Sequence, residues 1–175
     1  TGTDDTRYVS GGDEDNELGV HGSSLGATYI GGAENDSYIF ADNWGVVAIS
    51  DSAGDEDVLD FSAVTANLTF TFSATGLVVT DGINTVSLPS TAVMEKIIGG
   101  QGNNNYVFQD NQVFAGTIVG GTAVVDEDAG TSTMGSNTFD FSAFTTSVDI
   151  DLTSGIYGAM SFGYIHNVKT IWSVK

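Results

Sequence analysis

The side chains with the most chemistry to offer are carboxylates. Of 175 residues, 23 are Asp or Glu and only 4 are Lys or Arg, giving a net charge of −19 with histidine neutral. Three acidic triplets, Asp13-Glu14-Asp15, Asp55-Glu56-Asp57 and Asp126-Glu127-Asp128, invite two readings. Paired carboxylates can serve as acid and base on a glycosidic bond, whereas carboxylates in glycine-rich turns can serve as oxygen ligands of a hard cation. Each triplet falls in a turn, where solvation or cation coordination is the simpler explanation. None follows the EF-hand loop, because the glycine at its sixth position and the distal Glu are missing.

Other reactive groups are scarce. The chain has no cysteine, which removes thiol catalysis, disulfides and thiolate metal sites together. Gly22-Ser23-Ser24-Leu25-Gly26 matches the spacing of a nucleophile elbow, but a turn between short strands follows it where the elbow needs a helix. His21 and His166 lie far apart in the chain and share no motif with an acid. No acid, base and nucleophile set is specified, and the expectation is a protein that is not an enzyme.

The elements that would position the carboxylates are short strands. Apolar alternation recurs at Leu18-Gly-Val20, Tyr38-Ile-Phe40, Val46-Val-Ala-Ile49, Leu59-Asp-Phe61, Leu68-Thr-Phe-Thr-Phe72, Leu77-Val-Val79, Val86-Ser-Leu88, Tyr106-Val-Phe108, Phe139-Asp-Phe141 and Val148-Asp-Ile-Asp-Leu152. Helical periodicity is nearly absent; the best window, Thr91–Ile98, is short and β-branched at both ends. The segments Asn16-Glu-Leu-Gly-Val20, Asp36-Ser-Tyr-Ile-Phe40 and Asp57-Val-Leu-Asp-Phe61 repeat one pattern at a nearly constant interval of about 20 residues. Two strands and two turns in each coil of about 20 residues predict an all-β, right-handed parallel β-helix or β-roll solenoid with negligible helix. Leu18, Tyr38 and Leu59 should then stack in one interior row.

A longer repeat overlies the short one. Ile30-Gly-Gly-Ala-Glu-Asn-Asp-Ser-Tyr-Ile-Phe40 matches Ile98-Gly-Gly-Gln-Gly-Asn-Asn-Asn-Tyr-Val-Phe108 at an offset of 68, and Asp57-Val-Leu-Asp-Phe-Ser-Ala63 matches Asn137-Thr-Phe-Asp-Phe-Ser-Ala143 at an offset of 80. The larger second offset points to an inserted loop near 116–135. The expected organisation is one solenoid segment over 1–175, with the end of a preceding repeat at 1–29, one repeat at about 30–97 and a second at about 98–175. Val168-Lys-Thr-Ile171 resembles Met94-Glu-Lys-Ile97, which precedes Gly-Gly, so the chain is expected to be a piece of a longer array.

The glycine turns resemble the nonapeptide of the repeats-in-toxin, or hemolysin-type calcium-binding, family, which reads G-G-x-G-x-D-x-U-x with U a large apolar residue. Gly31–Ile39 fits it with Glu34 at the third glycine, Gly99–Val107 keeps all three glycines with Asn104 at the Asp, and Gly11–Gly19 departs at Glu14 and Asn16. The longer unit resembles the degenerate repeats of very large secreted bacterial proteins. Such a resemblance implies Ca2+ held by stacked turns, here through Asp15, Asn16, Asn35, Asp36, Asp55 and Asp57, with two or fewer good sites. The alternative is eroded turns in which Asn and Asp cap backbone N–H groups.

Composition bounds the partners. Four cationic side chains cannot form a phosphate-binding face, which excludes nucleic acid, and an anionic bilayer surface would repel the chain. No stretch is apolar enough for membrane insertion. An acidic, cysteine-free chain suits a secreted protein on a cell surface rich in divalent cations. The expected role is a noncatalytic, calcium-binding structural or adhesive module: a spacer or subunit of a bacterial surface protein, fibre or surface layer. Its partners would be neighbouring repeats or further copies stacked end to end. The alternative is a noncatalytic accessory β-helix of a carbohydrate-active enzyme or polysaccharide-binding protein, with extracellular polysaccharide as ligand. Trp44 and Trp172 lie outside the repeated phrase and are kept as candidate partner contacts.

Overall fold

The computed structural model describes the backbone of residues 7–20, 26–121, 124–126, 131–133, 135–146, 149–150, 162–166 and 170–171, and the side chains of 8–20, 26–121 and 135–146. His21, most of the 22–26 turn, Glu127, Asp128 and Trp172 lie outside the described residues, as does the side chain of His166.

Among the described residues the protein is all-β, without helix. The first six strands alternate between two sheets. β1 (Arg7–Gly12), β3 (Ala27–Gly32) and β5 (Val46–Ser50) belong to one, and β2 (Asn16–Val20), β4 (Asp36–Ala41) and β6 (Val58–Ala63) to the other. β7 (Leu68–Ser73), β8 (Gly76–Thr80) and β9 (Thr85–Pro89) then form an antiparallel meander within the first sheet. β10 (Lys96–Ile98) and β12 (Thr117–Val119) extend the second sheet, while β11 (Asn104–Phe108), β15 (Asn137–Asp140) and β17 (Phe162–His166) extend the first. β13 (Val124–Asp126) and β14 (Thr131–Thr133) pair as a hairpin inside the expected insertion, and β16 (Asp149–Ile150) lies parallel to β18 (Thr170–Ile171). The nine-stranded sheet runs β1-β3-β5-β9-β8-β7-β11-β15-β17 and the five-stranded one β12-β10-β6-β4-β2. Outside the meander, all their ladders are parallel.

Period-2 patterning explains the layers. Successive side chains of a strand face opposite sides, so β4 buries Asp36, Tyr38 and Phe40, and β7 buries Leu68, Phe70 and Phe72. Parallel pairing in register places like side chains one strand apart. Leu18, Tyr38, Leu59, Ile97 and Ile118 consequently form one row across the second sheet. The same repetition stacks Phe40 on Phe61 at 4.2 Å, Phe70 on Tyr106 at 4.6 Å and Phe72 on Phe108 at 4.4 Å between ring centroids. Such pairs contribute roughly 0.5 to 1.5 kcal/mol beyond area burial. Phe61 meets Phe70 edge-on at 5.5 Å, joining the inward faces of the two sheets in one core.

The longer repeat is visible in hydrogen bonds. Asp42 accepts from the backbone N–H and hydroxyl of Thr65, and Asp110 accepts the same pair from Thr145. Asn43 and Asn111, one position after each Asp, both take positive φ, at 65° and 61°. Asp60 and Asp140 each accept the N–H of the serine two positions on, at 2.8 Å.

Two expectations need correction. The short interval between rungs holds for Asn16↔Asp36 and Tyr38↔Leu59 but nearly doubles at Leu59↔Ile97 and at Phe70↔Tyr106. The cause is the meander: Leu77–Val79 runs antiparallel to its neighbours and adds width to one sheet where the sequence reading places another coil. Trp44, in turn, is not a surface contact. It is 1% exposed and packs edge-on against Phe40 and Phe61, because an indole beside stacked rings fills the turn after β4.

Candidate functional site

The turns leading from the first sheet to the second carry the acids, and they carry them in two rows. In the outer row each rung caps its neighbour: the N–H of Asn35 donates to Asp15, and the N–H groups of Asp55 and Glu56 donate to the Asn35 side chain. Asp15 and Asp55 are exposed there, and Asn35 is half-buried. In the inner row the N–H of Asn16 donates to Asp36 Oδ1 at 3.0 Å, that of Asp36 to Asp57 Oδ1 at 2.7 Å, and that of Asp57 to Glu95 Oε2 at 2.8 Å. The half-buried Asn16 turns its own amide to the Glu14 carbonyl. Asp36 and Asp57 are completely buried.

A third buried acid joins them. Ile30 pairs with Ser50, so the next residue, Asp51, stands opposite Gly31, where the first glycine of the motif is expected. Asp36, Asp51 and Asp57 each offer an oxygen within 4.8 Å of the others. The Tyr38 hydroxyl donates to Asp51 Oδ2 at 2.6 Å. One oxygen of each carboxylate is then left buried and without a hydrogen-bond partner: Asp36 Oδ2, Asp51 Oδ1 and Asp57 Oδ2. Gly31 makes the room. A Cβ there would press on Asp36 Oδ2, Tyr38 Oη and Asp51 Oδ2, and one on Gly54 would press on both Asp57 oxygens and the Glu34 carbonyl.

Burial dominates the electrostatics. It raises the Asp57 carboxyl to about 7, assisted by the charges of Asp51, Glu95 and Asp36 and opposed by the Asp36 N–H. It raises Asp51 as well, over the opposing Tyr38 and backbone hydrogen bonds. Burial pushes the Tyr38 phenol strongly upward, so it remains a donor. None of the main causes of these shifts is a cationic side chain among the described residues.

The equivalent place in the second repeat is built from amides. Asn104 Oδ1 accepts the Gly100 N–H, and Nδ2 donates to the carbonyls of Gly100 and Gly102 and to Asn137 Oδ1, all between 2.9 and 3.1 Å. Tyr106 Oη and Asn137 Nδ2 are buried there without partners.

Of the six residues expected to hold a metal, the fold brings Asp36 and Asp57 together in the core, keeps Asn16 one rung away, and leaves Asp15, Asn35 and Asp55 in the outer row. Asp51 was missed. The signal for it was an acid at the phase of the repeat where Gly11 and Gly31 stand. Glu34, at the motif's third glycine, adopts φ 63°, which shows why that position favours glycine.

A separate cavity of about 350 Å3 lies beside the meander, lined mainly by apolar groups including Phe72, Leu77, Leu88, Met94 and Phe114. Glu95 is the one acid in its lining among the described residues. No protein-family model, curated protein or solved structure matches the chain.

Proposed function

We propose that the chain is a noncatalytic, calcium-stabilised β-solenoid module of an extracellular bacterial surface protein or fibre, acting as a spacer or as a subunit that stacks end to end. The observation that carries the reading is the in-register parallel stacking of whole rungs, with the same hydrogen bonds from Thr to Asp returning in the second repeat. A chain that repeats its backbone contacts in this way is organised for length and contact along one direction. Each short rung contributes one strand to each sheet, which supports a solenoid reading, and a right-handed path is the common one for parallel crossovers.

Thermal melting and light scattering in millimolar calcium and in chelator test the proposal. The expected result is a higher melting temperature in calcium and particle growth with protein concentration. Identical melting curves remove calcium from the reading. Hydrolysis of a polysaccharide that is lost on Asp55→Ala and Asp57→Ala overturns the noncatalytic role.

A further inference from the structure

We infer that Asp36, Asp51 and Asp57 form an interior site for one largely dehydrated Ca2+ ion, separate from the outer turn row. The inference deepens the proposed function and rests on it only for the availability of calcium. Three completely or almost completely buried carboxylates each keep one buried oxygen without a hydrogen-bond partner among the described residues, and each offers an oxygen to one cluster. Burying a carboxylate without a partner is costly, and the remaining oxygens of the same residues are all engaged by donors. The set is therefore finished on one side and open on the other.

The chemistry of the opening selects its occupant. All donors are oxygens, which suits a hard cation. Oxygens within 4.8 Å of each other can share an ion whose bonds are about 2.3–2.6 Å long, since such an ion spans about that distance across its diameter. Mg2+ prefers bonds near about 2.0–2.1 Å and retains several waters, for which carboxylates with exposures of 0% and 3% leave little access. The Glu34 carbonyl, which faces the Gly54 Cα together with the Asp57 oxygens, is a neutral oxygen beside the set. The phenol of Tyr38 orients Asp51 and is a positioning residue.

Position distinguishes this site from the turn row. Asp51 replaces a motif glycine, and Asp15, Asn35 and Asp55 use their side chains or backbones to cap each other outside it. Terbium luminescence, excited through tyrosine, and calcium calorimetry on the whole chain provide the test. The expected result is one ion per chain, displaced by calcium and not by equimolar magnesium. Asp51→Asn should weaken binding at least tenfold while leaving the sheet spectrum intact, with Asp57→Asn as a second variant should the first not fold. The double change Asp15→Asn with Asp55→Asn should alter affinity less than threefold. Tyr38→Phe should remove most of the terbium signal. If the outer-row variant abolishes binding and Asp51→Asn does not, the interior site is overturned while the calcium-dependent module stands. If wild-type protein binds neither ion, the site is overturned and calcium leaves the proposed function too, whereas growth in light scattering still tests its structural part.

Discussion

The rungs at Asp36 and Asn104, identical at six of the eleven positions of Ile30–Phe40 and Ile98–Phe108, solve the same turn differently. Both follow Ile-Gly-Gly and precede a buried Tyr and Phe, but one carries a carboxylate and the other an amide. The amide closes on itself, because Nδ2 shares its two N–H donors among three carbonyl oxygens and Oδ1 takes the Gly100 N–H. The carboxylate cannot, since both its atoms are acceptors; it uses one for the Asn16 N–H and leaves the other bare. Exchanging one oxygen for NH2 thus decides whether the side chain at this position is satisfied by the polypeptide or requires a proton or a cation.

Moving the carboxylate to the amide rung should have the largest effect. Asn104→Asp replaces the two N–H donors that Nδ2 shares among the Gly100, Gly102 and Asn137 oxygens with repulsion from the same oxygens. A buried charge without compensation costs roughly 3 to 5 kcal/mol, to be read from urea unfolding at pH 7; an unchanged midpoint breaks the comparison. Calcium is next. At a hundredfold excess over Kd it should stabilise the native state by about 2.7 kcal/mol. Asp36→Asn should abolish that gain yet equal or exceed wild type in chelator, because its amide can donate to the oxygens that repel Asp36.

Gly31→Ala sharpens the contrast sterically. Its Cβ would crowd three oxygens of the acidic cluster, whereas at Gly99 the nearest atoms are Tyr106 Oη at 2.6 Å and Asn104 Cγ at 3.0 Å. Overpacking costs about 1 to 3 kcal/mol, and the Gly31 variant should lie at the upper end and the Gly99 variant at the lower in paired thermal melts. Titration offers a smaller effect. Asp57 sits near 7 in the folded chain against an ordinary 3.8, so its contribution is complete below about pH 4 and is lost as pH rises through about 7. Chelated protein should melt lower at pH 8 than at pH 6, and Asp57→Asn should flatten that dependence. The smallest change is Glu34→Gly, which relieves a left-handed residue and should stabilise by about 1 kcal/mol in chemical denaturation.

The positions of β2, β4 to β9, β11 and β15 and the interior row of Leu18, Tyr38 and Leu59 were legible because period-2 alternation and the phase of the short repeat are local properties of the chain, whereas β10 lies within the best helical window, Thr91–Ile98. The meander was not. Leu77–Val79 and Val86–Leu88 alternate like any half-buried strand, and alternation does not encode whether the neighbour runs parallel or antiparallel. Thr80, Asp81 and Asn84 carry the missing information, since their side chains hold the β8–β9 turn. Asp36 and Asp57 were found from a motif that assigns ligands by position in the turn. Asp51 belongs to the end of β5, and only pairing with β3 brings it across to them. Trp44 was misplaced because solitary position in sequence says nothing about which rings surround it.

The unequal spacing of rungs also sets how the chain would lengthen under tension. An extended residue spans at most about 3.3–3.6 Å. Detaching a rung of the short interval, such as the one that registers Asn16 on Asp36, frees about 70 Å of chain. Detaching the one at Leu59, whose partner Ile97 lies almost twice as far along the chain, frees about 130 Å, with the meander released in the same event. Pulled from both ends, the molecule would extend as a line with long and short links, and the long links would mark where the antiparallel strands were folded in.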